Sequence, residues 1–66
     1  MENKEKAIAI LQEYLDLLKY AQEEAHDADL AHSWREQFWG AAHLFEAVFG
    51  GDVYIHNYKV CIEEEA

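Results

Sequence analysis

Residues 7–18 read AIAILQEYLDLL, and this stretch decides the fold because its apolar residues recur at helical spacing. We predict a first helix over about residues 3–28. At about 100° per residue its apolar side chains fill an arc of roughly 180°, whereas packing against one neighbour needs only about 100°. They are Ala7, Ile8, Ile10, Leu11, Tyr14, Leu15, Leu17, Leu18, Ala21, Ala25 and Ala28. The surplus width predicts a further neighbour, most simply a second copy of the chain.

The length of the chain also favours self-association. Its 66 residues make a single domain, residues 1–66, of marginal stability on its own. Small domains usually gain stability from disulfides, a metal or oligomerisation, and a single cysteine, Cys61, excludes an internal disulfide. We therefore expect a homodimer or higher oligomer that forms a helical bundle. The predicted interface between copies consists of Ile8, Leu11, Leu15, Leu18 and Phe45.

A second helix is predicted over about residues 33–49, and it should form an antiparallel helical hairpin with the first. Ser33-Trp34-Arg35-Glu36 matches the Ser-x-x-Glu capping box, which marks a helix start. The break between the helices should then lie within residues 27–32. Gly50-Gly51 should end the second helix, because glycine adopts the left-handed conformation at a helix C-terminus without a steric penalty.

After Asp52 the apolar residues alternate with a period of two, which predicts a short C-terminal β-hairpin over about residues 53–62. A single long strand is the alternative. A two-residue turn at His56-Asn57 or at Asn57-Tyr58 keeps the β-forming residues on one face. An isolated hairpin is unstable, so it should lie on the helices or pair with its equivalent in another copy. Residues 63–66 should form an acidic tail, and the fold class is mostly α (α+β).

The charge of the chain is strongly one-sided, with 14 Asp and Glu against 5 Lys and Arg and a formal net charge of −9. This balance argues against direct binding to nucleic acid or to anionic membranes, both of which require basic residues. It favours a basic partner protein, or simply solubility. The first residues lack a signal-peptide pattern, and no apolar run reaches the about 20 residues that span a bilayer. We therefore expect a cytoplasmic protein.

Acidic residues of the first helix form a stripe opposite its apolar arc. At a rise of about 1.5 Å per residue, seven carboxylates lie about 5 Å apart, comparable with the phosphate spacing of about 3.4 Å along one DNA strand. A solvated helix face without a partner is the alternative interpretation. The stripe comprises Glu2, Glu5, Glu13, Asp16, Glu23, Glu24 and Asp27, of which the last five are predicted to bind a partner.

Trp39 lies outside the apolar face of the second helix, in a sector that also holds Arg35. An aromatic residue beside an arginine is typical of an interaction hot spot, so both residues are predicted to bind the partner. The alternative is that Trp39 packs under the β-hairpin or against another copy of the chain.

Residues suited to metal binding or catalysis are sparse. His26, Asp29 and His32 are weak candidates for metal ligands, because their spacing matches no closed metal motif. Ser33 is explained by the capping box, and the acidic residues that follow Cys61 do not activate its thiol. The sequence therefore predicts no metal, no cofactor and no enzymatic activity.

These features together predict a non-enzymatic acidic inhibitor or adaptor that blocks a basic, nucleic-acid-binding surface of a partner protein. In size and charge the chain resembles small phage-encoded inhibitors, including some anti-CRISPR proteins that mimic DNA, although it shares no motif with them. The resemblance implies a protein encoded by a phage or mobile element that acts in the host cytoplasm. The alternative is a structural homo-oligomerisation module or small accessory subunit, in which the charge serves only solubility.

Overall fold

The computed structural model describes residues 2–64, with side chains from Asn3 onward. Helix α1 covers Glu2–Glu23, helix α2 Ala28–Phe49, strand β1 Asp52–His56 and strand β2 Lys59–Glu63. The two strands form one antiparallel sheet. The predicted mostly helical fold, a helical hairpin followed by a C-terminal β-hairpin, is confirmed. In the predicted acidic tail, Glu63 belongs to β2, and residues 65–66 lie outside the described residues. The side chain of Glu2, a member of the predicted acidic stripe, also lies outside them.

The second helix begins earlier than the capping box indicates, so that prediction is wrong. Helix α2 starts at Ala28 with Asp27 as its N-cap, and the Asp27 carboxylate accepts a hydrogen bond of 3.1 Å from the Leu30 N–H. Ser33 lies inside the helix, where its Oγ accepts a hydrogen bond of 3.2 Å from Gln37 Nε2. The Asp27 carboxylate satisfies one of the N–H groups that have no partner within the helix at its start. The helix can therefore begin at Ala28, and residues 28–32 belong to it.

The first helix ends at Glu23 rather than near residue 28, because the chain reverses at His26. His26 has a φ of 50°, in the left-handed region that histidine enters more readily than most residues. The next N–H group, that of Asp27, donates to the carbonyl of Ala21 at 3.0 Å and satisfies one of the free carbonyls at the end of α1. Residues 24–27 therefore form the turn between the two helices.

Gly50 and Gly51 end α2 as predicted. Both have a φ of 81°, which glycine adopts without steric cost. The Gly50 N–H donates to the carbonyl of Glu46 at 2.9 Å. A Cβ at position 51 would lie 3.0 Å from the carbonyl oxygen of Glu63, so this position also requires the absence of a side chain.

The β-hairpin turns at Asn57-Tyr58, which is one of the two predicted positions. Both residues have positive φ values, 50° and 58°, as a two-residue hairpin turn requires. The register pairs Val53 with Ile62 and Ile55 with Val60. These four apolar residues therefore lie on one face of the sheet, as predicted.

Three hydrogen bonds fix the β-hairpin to one side of the two helices. Gln12 on α1 donates from Nε2 to the carbonyl of Tyr58 at 3.0 Å and accepts at Oε1 from the Val60 N–H at 2.9 Å. Glu46 on α2 accepts at Oε2 from the Val53 N–H at 2.8 Å. The hairpin therefore lies on the helices, as one of the two predicted arrangements requires, and its backbone is bound by one side chain from each helix.

The core lies between the helices, and its centre is formed by side chains that were predicted to face another copy. The buried ones are each at most 5% exposed within a single chain: Leu11, Leu15, Leu18 and Phe45, with Ile8 packed against them. The burial of these four side chains within one chain contradicts their assignment to an interface between copies. The physical reason is that α1 has two neighbours in its own chain, α2 and the β-hairpin, which together fill most of its wide apolar arc. Ile10 and Leu17 are left exposed at one edge of that arc.

Candidate functional site

The outer surface of α1 carries a row of exposed carboxylates together with one exposed tyrosine. Glu13, Asp16, Tyr20 and Glu23 follow one another at intervals of three or four residues, which places them on one side of the helix, and Glu24 directly follows in the turn. Leu11, Leu15 and Leu18 occupy the other side and pack into the core, so the row is directed away from α2. We call this surface the acidic face, and it comprises Glu13, Asp16, Tyr20, Glu23 and Glu24.

Tyr20 is the residue of this face that the sequence analysis missed. Its side chain is 56% exposed, although it is a large aromatic residue. It lines a hollow of about 290 Å³ together with Asp16, Lys19, Glu23 and Glu24. The spacing could have identified it, because Asp16 lies four residues before Tyr20 and Glu24 lies four residues after it. An exposed tyrosine that is surrounded by carboxylates suits recognition of a basic surface.

The carboxylates of the acidic face have no cationic partner among the described side chains. Among the described side chains, Lys4 forms an ion pair with Glu64 at 2.7 Å and His32 Nε2 lies 3.1 Å from Glu36 Oε1, and neither contact involves the acidic face. Asp16 accepts a hydrogen bond of 3.0 Å from Gln12 Nε2, which holds one carboxylate without neutralising it. The negative charge of this surface is therefore available to a ligand.

Lys19, the nearest cation to the acidic face, interacts with the β-hairpin. Its Nζ lies 5.3 Å from the centre of the Tyr58 ring, at cation–π distance. The Tyr58 hydroxyl donates in turn to Gln22 Oε1 at 3.1 Å. The lysine thus contributes to the attachment of the hairpin and leaves the carboxylates of the acidic face unpaired.

Three residues that were predicted to bind the partner lie apart from the acidic face. Asp27 is the N-cap of α2 and has a structural role there. Trp39 is half-buried, packs against the core and meets Phe38 edge to face, with ring centres 4.9 Å apart. Arg35 lines a separate hollow of about 430 Å³ beside the turn between the helices. The structure therefore brings together four of the predicted partner-binding residues, Glu13, Asp16, Glu23 and Glu24.

The weak metal candidates do not converge. His26 lies in the turn, Asp29 in the first turn of α2, and His32 bonds to Glu36 one helical turn further on. Within residues 2–64, no group of three histidine, cysteine, aspartate or glutamate side chains is close enough to hold an ion.

The side chain of Cys61 is half-buried in β2, where its Sγ lies 3.8 Å from the carbonyl oxygen of Lys59. Every buried polar side-chain atom in the described part of the chain has a hydrogen-bond partner. Neither of the two described helices is long and apolar enough to cross a membrane.

Comparison with known proteins finds no matching family model, no similar curated protein and no similar solved structure.

Proposed function

We propose that this chain is a non-enzymatic interaction protein that binds a basic surface of a partner protein through its acidic face. The observation that supports this proposal is the exposure of Tyr20 among carboxylates that have no cationic partner. Binding of this kind blocks the surface, so the protein acts as an inhibitor or adaptor. A protein of this type, of the kind that phages or mobile elements encode, acts in the cytoplasm of the host cell.

The spacing of the carboxylates favours a partner surface that normally binds nucleic acid. Glu13, Asp16 and Glu23 lie on α1 and Glu24 directly follows its end, so the four carboxylates extend over about 16 Å at unequal intervals that average about 5 Å. The phosphates of one DNA strand follow at about 3.4 Å. Lysine and arginine side chains are long and flexible, and they can pair with charges at either spacing. A rigid helix offers these charges already in place, which lowers the entropic cost of binding.

Reversal of the charges tests this proposal. The variant E13K/D16K/E23K/E24K is used to capture proteins from the source cell, in parallel with wild type and with D29K/E36K/D52K/E63K. The control variant has the same change in net charge, but its substitutions lie outside the acidic face. We expect wild type and the control to retain the same basic, nucleic-acid-binding protein, and salt to release it. The variant of the acidic face should lose this protein.

Two outcomes of the capture experiment contradict the proposal. In the first, the variant of the acidic face retains the same partner as wild type. In the second, both variants lose the partner equally, because binding then depends on net charge and not on this surface. Helical circular dichroism of each variant establishes that it is folded, and all eight substituted side chains are exposed in the native chain.

A second candidate function is a structural homo-oligomerisation module or accessory subunit, with the charge serving solubility. The observation that favours it is a set of large apolar side chains that remain exposed on the two helices: Ile10, Leu17, Leu44, Val48 and Phe49. In this case the capture experiment would retrieve no basic protein that depends on the acidic face, while self-association would persist.

A further inference from the structure

The β-hairpin covers only one side of the two helices, and the opposite side is open. Gln12 and Glu46 hold the hairpin. Ile10 precedes Gln12 by two positions on α1, and Leu44 precedes Glu46 by two positions on α2. Two positions correspond to a rotation of about 200° around a helix, so both side chains lie on the side away from the hairpin. Both side chains are more than half exposed, Ile10 at 51% and Leu44 at 66%. The surface opposite the hairpin is therefore apolar and has no cover within the described residues.

The side chains of this surface follow a regular pattern on both helices. Their positions alternate in steps of three and four, which is the heptad spacing of helices that pack side by side. Every member is uncharged, although the chain has a net charge of −9. We call this surface the open face; it comprises Ala7, Ile10, Tyr14 and Leu17 on α1, and Leu30, Trp34, Gln37, Ala41, Leu44 and Val48 on α2.

The two helices meet at the open face without sealing it. A groove of about 230 Å³ runs between them, and its floor includes Leu11 and Phe45. Its walls are formed by Ile10, Leu44 and Val48, the last of which is 65% exposed. Further along, Tyr14 and Trp34 meet across the helices with ring centres 5.9 Å apart and continue the apolar surface.

We propose that the open face binds a second copy of this chain and that the two helical hairpins form a four-helix bundle. This inference rests on the second candidate function and is independent of the first. A monomeric protein of this size rarely leaves a contiguous apolar surface of several hundred Å² in water. In an assembly of this kind both β-hairpins lie on the outside, and the acidic faces of α1 remain accessible.

The direction of the exposed side chains favours a pair of helices over a single one. Leu11 and Leu18 are buried toward α2, and Ile10 and Leu17 immediately precede them. Successive residues are rotated by about 100° around the helix axis. The side chains of Ile10 and Leu17 therefore point nearly perpendicular to the plane that contains the two helices. Leu44, which precedes the buried Phe45, does the same on α2. A lone helix in the groove would leave these upright side chains largely uncovered, whereas a second hairpin places one helix over each.

The open face runs along both helices, each of 22 residues, or about 33 Å at a rise of about 1.5 Å per residue. The two helices of a second hairpin can therefore lie along its full length, as in a four-helix bundle. Since the members of the face are uncharged, the contact places no carboxylate row against its copy.

Sedimentation equilibrium of the full chain at micromolar concentrations tests the inference, with wild type compared with L44E and Y54E. Leu44 is exposed and glutamate is a good helix former, so L44E is expected to fold. The control, Tyr54, is also exposed, but it lies on β1 outside the open face. We expect wild type and Y54E to have twice the 7.7 kDa mass of one chain. L44E should raise the dimer dissociation constant by about tenfold or more.

Three results would overturn the inference. Wild type could sediment as a single chain, which would leave the open face to some other ligand. It could dimerise with an affinity that L44E leaves unchanged. Finally, Y54E could dissociate the dimer while L44E does not, which would place the contact at the sheet. The variant with four reversed charges on the acidic face should remain dimeric, so loss of partner binding and loss of dimerisation are observed separately.

Discussion

At the scale of single residues, His26 adopts a backbone conformation that is unfavourable for a residue with a side chain. It ends α1 in the left-handed region, with a φ of 50°, where a side chain costs roughly 1–2 kcal/mol. Glycine is the usual residue at this position of a helix end. We expect H26G to raise the free energy of unfolding by about 1 kcal/mol, measured by urea denaturation at fixed protein concentration.

The matched control for this prediction is H32G. His32 has the same side chain but lies inside α2, where glycine is unfavourable, so this variant should lose about 0.5 kcal/mol or more. If H26G is less stable than wild type, or if the two variants change stability in the same direction, the assignment of a left-handed helix end is wrong.

Single residues also show where sequence reasoning succeeds and where it fails. Gly50 and Asn57 were predicted correctly, because backbone geometry alone restricts those positions. The assignment of Ser33 to the start of the second helix was wrong, because Asp27 caps α2 instead. Both residue types are favoured at N-caps, so only the turn at His26 determines which of them is used. Local residue preferences therefore predict a helix end that a single residue determines, such as the end of α2 at Gly50. They do not predict a helix start that depends on where the preceding chain turns.

At the scale of elements, the β-hairpin contains an unfavourable pair. Asp52 and Glu63 are directly opposite in the register of β1 and β2. Like charges in this arrangement destabilise a sheet by about 0.2–1 kcal/mol. We expect E63K to raise the free energy of unfolding by about 0.5 kcal/mol, because lysine forms an opposite-charge pair with Asp52. Urea denaturation measures the gain, which should shrink at high salt.

The double variant D52N/E63K serves as the control for the hairpin. It keeps the lysine but removes the carboxylate across the strands, so the gain should largely disappear. Equal stabilisation by the single and double variants would contradict the register, and would attribute the effect to the lower net charge of the chain instead.

Elements also explain why the predicted interface was wrong. A helical wheel gives the width of the apolar arc of α1 but not the identity of its neighbours. Leu11, Leu15 and Leu18 are covered by α2 and the β-hairpin, while Ile10 and Leu17 at the edge are not. The two sets differ by one position along the helix. The positions of α2 and of the hairpin, which Gln12 holds, determine which set is buried.

At the scale of the whole molecule, three sides have different characters. The β-hairpin closes one side, the open face lies opposite, and the acidic face runs along the outside of α1. Four residues of the predicted acidic stripe, Glu13, Asp16, Glu23 and Glu24, are exposed together, because a solvated helix side can be identified from spacing. Asp27 is not among them, since it caps α2. The sequence singled out Trp39, whereas Tyr20 is the aromatic residue exposed beside the carboxylates, because the packing of Trp39 on Phe38 depends on tertiary contacts.

The most direct test of the acidic face is a titration of the isotope-labelled protein with an arginine-rich peptide, followed by amide chemical shifts in NMR spectra. We expect the shift changes to concentrate between Glu13 and Glu24, to include Tyr20, and to weaken as salt is added. Resonances of Asp52 and Glu63, which are acidic and exposed but lie on the hairpin, should change little. Changes of equal size at all exposed carboxylates, or changes centred on Trp39 and Arg35, would contradict it.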